Sequence, residues 1–122
     1  MKHVMAGLAA IVFGFSLSTA VVAQDRVPLL TADQMLENLG NEKQAPLAQV
    51  ILHVVSLSLS AANADLESKE QPKLYCVPIH LALTPEQNRG IFEDYLARSP
   101  EMGEFPYFMI MLSALQDTFP CE

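Results

Sequence analysis

Two cysteines, three histidines and a scatter of carboxylates are the side chains of this 122-residue chain with chemistry to offer. Cys76 lies in "KLYCVPIH" and Cys121 in "DTFPCE", each with a proline one or two positions away. In an oxidising compartment two such cysteines pair. Closing a loop of roughly 45 residues would then add about 4 kcal/mol through the entropy of the unfolded chain. His53 sits among Leu52, Val54 and Val55, which suits a packed or surface histidine better than a general base. His80 has only Cys76 near it at ligand spacing, and a bridge would consume that thiol. His3 falls in the leader-like N-terminus, so no zinc set can be assembled. "CVPIH" lacks the second cysteine that haem attachment needs. Glu67, Glu70, Glu86, Glu93 and Asp94 form a solvated acidic surface more simply than a catalytic pair. There is neither a glycine-rich phosphate loop nor a basic aromatic patch. Phe108, Met109 and Met111 fit a core better than a ligand site. The expectation is a non-enzyme with no catalytic, cofactor-binding or metal-binding residues, and the cysteine pair Cys76 and Cys121 as its one covalent feature.

Which compartment applies is written at the N-terminus. Lys2 and His3 precede an apolar run from Val4 to Val22, closed by Val21-Val22-Ala23 and the polar Gln24-Asp25-Arg26. That is the layout of a secretory signal peptide over residues 1–23, with cleavage after Ala23. Gly7, Gly14, Ser16, Ser18 and Thr19 weaken the rival membrane anchor. No cysteine follows the cleavage site, so it is not of the lipoprotein type. The expected location is the periplasm. Residues 24–122 then make one small domain, whose limited core gives a disulfide its value. The chain carries 14 acidic and 7 basic residues, a net charge of −7. Such a surface repels nucleic acid and anionic lipid but would attract a basic protein.

The elements that must position these residues are helices. Thr31 and Gln34 form a capping box before Met35, Leu36 and Leu39, and Gly40-Asn41 stop that helix. Pro46 opens a second, with Leu47, Val50, Ile51, Val54 and Leu57 recurring at helical spacing as its apolar face. Residues 63–73 read as an exposed polar loop, and "CVPIHLAL" as an irregular connection. Thr84-Pro85-Glu86-Gln87 is a second capping box with proline in the first turn. Ile91, Phe92, Tyr95 and Leu96 are its apolar side. A final helix from about Pro106 to Thr118 would bury Phe108, Met109, Leu112, Leu115 and Phe119. Ile110, Met111 and Ala114 make its other side apolar too, so it is expected to be the most buried helix. A helix apolar nearly all round is central to a bundle or buried between subunits, which leaves a homodimer open. The expected fold is all-α, a small bundle of four or five helices stapled by one disulfide.

"LYCVP", "LTPEQ", "YLARSP" and "LSALQDTFPCE", in this order and spacing, closely resemble the C-terminal half of the Rap/Tai family. Cys76, Pro78, Gln87, Tyr95, Leu96, Pro100, Ala114, Leu115, Phe119, Pro120 and Cys121 carry the likeness, over roughly residues 73–122. Members are periplasmic immunity proteins that neutralise peptidoglycan amidase effectors of type VI secretion systems. The family often has two further cysteines in its N-terminal half; Leu39 and Gln49 or Val50 stand near those places here. The resemblance implies a binding module whose partner is a cell-wall amidase, occluded sterically. An alternative is a periplasmic acid-stress chaperone. That class is also small, helical and single-bridged, but it is rich in titrating charge, and this chain is only 17% charged. Among exposed segments, "RSPEMGEFP" is the better placed to reach a partner. Glu101, Met102, Gly103, Glu104 and Phe105 are the candidate contact residues, with Gly103 allowing a sharp tip. The loop at residues 67–73 is the second choice.

Overall fold

Local capping fixes where the first elements begin. The Thr31 hydroxyl accepts from the Gln34 N–H at 3.2 Å, and the Gln34 side chain accepts from the Thr31 N–H at 3.0 Å. From this box α1 runs over Ala32–Gly40. The Asn41 side chain turns the chain by accepting from the Lys43 N–H, and α2 follows over Ala45–Ser68 with Pro46 in its first turn. A second box of Thr84 and Gln87 starts α3, Pro85–Arg98. A 3₁₀ turn, η1 at Pro100–Glu104, leads to α4, Tyr107–Thr118. The structure is a computed structural model and describes residues 29–122. The expected signal peptide therefore lies outside the described residues.

The four helices make an all-α bundle; among the described residues the only β feature is an isolated bridge between Thr31 and Pro106. The 24-residue α2 is the spine, and α1, α3 and α4 all pack against it. Met35 and Leu39 of α1, Leu52 of α2, Phe92 and Leu96 of α3, and Ile110, Met111 and Leu115 of α4 meet in one core. Tyr75 joins them from outside any helix, fully buried, with its hydroxyl 3.2 Å from Ser60 Oγ.

The structure departs from the sequence reading in three places. Residues 63–68, expected as loop, continue α2. The reason is tertiary. Asn63 Nδ2 donates to the Tyr75 carbonyl at 2.8 Å, and its Oδ1 accepts from the Leu74 N–H at 2.7 Å. A polar residue that predicts a loop is instead a buried clamp on the returning chain. On α2 the helix stands but its inner face is different: Ala48, Leu52, Ser56 and Asn63 are buried, while Leu47, Val50, Val54 and Leu57 are exposed, and of the expected face only Ile51 packs, half-buried, against the core. On α4, Ile110, Met111, Ala114 and Leu115 face the core. Phe108 and Met109 are exposed, and Leu112 and Phe119 lie half-buried. Both helices carry apolar residues on two sides, so periodicity alone does not choose between them.

Candidate functional site

Cys76 and Cys121 are joined, with their Cα atoms 5.0 Å apart. The bridge ties the segment before α3 to the segment after α4. The Cys76 N–H donates to the Phe119 carbonyl at 2.8 Å, and Gln116 Nε2 donates to the Leu74 carbonyl at 3.2 Å. With Asn63 holding the other side, the long irregular connection after α2 is fastened to both α2 and the C-terminus. This pins Tyr75 in the core.

The candidate contact segment follows α3 directly. Arg98 closes that helix and reaches Asp117 of α4 at 2.7 Å. Pro100 then opens η1, and the turn is docked on α1. The Ala32 N–H donates to the Phe105 carbonyl at 2.8 Å, and the Tyr107 N–H donates to the Leu30 carbonyl at 3.1 Å. Met102 is half-buried against the core, and Gly103 is buried. Gly103 has a negative φ, so it does not form the left-handed tip its type suggests. Its role is close approach: a Cβ there would collide with the Asp33 carboxylate on α1. Of the five candidates, Glu101, Glu104 and Phe105 are therefore the ones presented to solvent. They sit on a turn whose backbone is hydrogen-bonded to the start of α1, an arrangement that lowers the cost of ordering it on binding.

The second candidate segment begins in the last two residues of α2 and continues beyond it. Lys69 pairs with Asp65 at 2.7 Å and Lys73 with Glu67 at 3.2 Å, both pairs at the surface. Exposed pairs of this kind contribute little. The helix ends in a Schellman motif. The Gln71 N–H donates to the Leu66 carbonyl and the Glu70 N–H to the Glu67 carbonyl, with Glu70 at φ 55° where glycine is usual.

A polar seam missed from the sequence joins α2 to α3. Gln49 Nε2 donates to Glu86 at 3.0 Å, and Asn88 Nδ2 lies 2.9 Å from His53 Nδ1. The backbone N–H at Glu86 and the Thr84 hydroxyl hold the Glu86 carboxyl below the usual glutamate range, with Gln49 and His53 adding to the effect. Asn88 is fully buried, and its Oδ1 has no partner. Gln49 and His53, one turn apart on α2, thus each hold a polar side chain of the first turns of α3, which fixes the α2–α3 register. Among the described residues no group of three histidine, cysteine or carboxylate side chains is placed to hold a metal ion. The open grooves, of about 180–190 Å³, are shallow, and one of them is lined by Asn63, Tyr75 and Glu67, which the scaffold already uses. Comparison with protein-family models, curated proteins and solved structures finds no match to the chain.

Proposed function

We propose that the chain is a periplasmic immunity protein that binds and occludes a type VI secreted peptidoglycan amidase. The observation that carries this reading is the unit closed by the Cys76–Cys121 bridge. The residues that resemble the Rap/Tai family fall within it, in order: the bridged Cys76, the Thr84-capped α3 with Tyr95 and Leu96, Pro100, and the Phe119-Pro120-Cys121 tail. Its exposed turn presents Glu101, Glu104 and Phe105, two carboxylates and an apolar ring within five residues. That chemistry suits a basic partner with an apolar cleft, and the net charge of −7 would steer the encounter. The action is steric. Inhibition comes from filling the cleft and leaves the amidase chemically unchanged.

Periplasmic co-expression with a candidate amidase is the test. Protection from lysis is expected. It should be lost in the folded triple variant Glu101→Lys, Glu104→Lys, Phe105→Asp. Unchanged protection by that variant would move the contact away from this turn. Failure to bind any cell-wall amidase encoded beside it would reject the immunity reading.

A further inference from the structure

Residues 78–82, between the bridge and α3, form an exposed span with little to hold it. Ile79 is 96% exposed, and no other large apolar side chain among the described residues exceeds 66%. The chain is anchored on both sides of the span. Val77 and Leu83 pack half-buried against the core, Cys76 is bridged, and Thr84 caps α3. Between those anchors, among the described residues, the backbone makes a single hydrogen bond, from the Leu81 N–H to the Pro78 carbonyl at 2.9 Å. Breaking that one bond frees the span to lie extended in a protease cleft.

We infer that the Ile79–His80 peptide bond is a cleavage site for a serine endopeptidase with an elastase-like pocket, and that the Cys76–Cys121 bridge holds the two pieces together afterwards. The residue types select the enzyme class. A shallow pocket for a small aliphatic side chain takes Ile79. Pro78 fixes the backbone beside it and biases Val77 to the extended form in which such clefts bind a chain. Val77 itself is followed by proline, which bars a cut after it, and Ala82 runs into the anchored Leu83. The other described connections, "NEKQ" at 41–44, "KEQPK" at 69–73, "SPEMGEFP" at 99–106 and "FPCE" at 119–122, hold no small aliphatic side chain. One water is consumed. Its hydroxyl joins the Ile79 carbonyl carbon and its hydrogen the departing His80 nitrogen, leaving a new carboxyl and a new amino terminus. Cys76 then lies on the first piece and Cys121 on the second. The pieces also stay joined by the Ala32 N–H to the Phe105 carbonyl, the Cys76 N–H to the Phe119 carbonyl, Gln49 to Glu86, and the packing of α2 on α3 and α4. In the intact oxidised chain two covalent paths link them, the peptide and the disulfide. Cutting one or reducing the other opens the same closed loop, so either loss frees the unfolded chain alike. Losing both makes folding bimolecular. Cys76 stands just before the exposed span, so the bundle can be cut there and keep its fold. This inference does not depend on the immunity reading.

Limited digestion of the purified, oxidised chain with pancreatic elastase tests this, read by mass spectrometry over residues 29–122. The first cut should fall after Ile79 and give a product heavier by one water that stays in one piece. Reduction should release a fragment beginning at His80 and separate the two pieces on size exclusion. Before reduction the nicked protein should keep its helical circular dichroism. Its urea midpoint should match that of the uncut double variant Cys76→Ser, Cys121→Ser, since each keeps one covalent path. Ile79→Asp changes an exposed side chain and should leave the fold intact, while slowing the cut at this bond about tenfold or more. A first cut elsewhere in residues 29–122 would overturn the site. So would survival of residues 78–82 at enzyme levels that cleave the reduced, urea-unfolded chain there. A nicked, oxidised protein that unfolds would overturn the role given to the bridge.

Discussion

Two buried asparagines show how differently one residue type can act. Asn63 satisfies both a backbone donor and a backbone acceptor of the returning segment. Asn63→Ala should cost about 2–4 kcal/mol, because it strands the Leu74 N–H and the Tyr75 carbonyl as well as losing two bonds. Asn88 gives one bond to half-buried His53 and leaves its own Oδ1 unpaired. Asn88→Leu should change stability by less than about 1 kcal/mol, or raise it, since the orphaned acceptor goes with the side chain. Urea denaturation of both variants is the check. Equal losses would mean that Asn88 has a partner after all. Neither role can be read from the sequence, where an asparagine in a polar stretch signals only a turn. The bonds that decide it come from residues 11 and 12 positions away for Asn63, and 35 for Asn88.

Helix starts are legible in the sequence because their determinants are local. Thr31 with Gln34, and Thr84 with Pro85 and Gln87, carry all the information within one turn. Helix faces are not legible where a helix is apolar on two sides. On α2 the Leu47-Val50-Val54-Leu57 stripe is as regular as any core face, yet the core takes Ala48, Leu52 and Ser56, with Ile51, Val55 and Leu59 half-buried beside them. Ala48 and Ser56 on either side of Leu52 let neighbouring helices approach closely, and that preference is set by the partners. Leu52→Ala should cost about 2–5 kcal/mol and Leu47→Ala no more than about 0.5 kcal/mol in a monomer. The same contrast holds on α4 for Leu115→Ala against the half-buried Leu112→Ala, with the larger loss at Leu115. Equal costs at positions 47 and 52 would contradict the face assignment. The end of α2 offers a gain: Glu70→Gly should stabilise by about 1 kcal/mol, because glycine enters the left-handed region without a Cβ penalty. A higher midpoint in thermal unfolding would show it.

At the scale of the whole molecule, the disulfide does what a small core leaves undone. It spans 45 residues and encloses α3, η1 and α4. Cys121→Ser should lower stability by about 2–5 kcal/mol. The cysteine pairing and the all-α class are legible because two thiols allow one bridge and because capping and periodicity agree. The turn between α3 and α4 is legible as well, from its prolines and glycine. Its inward half is not, since the burial of Met102 and Gly103 depends on where α1 lies. The proposed function stands on an acidic, bridged bundle that presents a turn docked on α1. The most direct measurement is peptidoglycan hydrolysis by a candidate cell-wall amidase, titrated with the purified protein. Hydrolysis should fall in proportion to added protein and cease near equimolar amounts. Full hydrolysis in the presence of excess folded, oxidised protein would contradict the immunity reading.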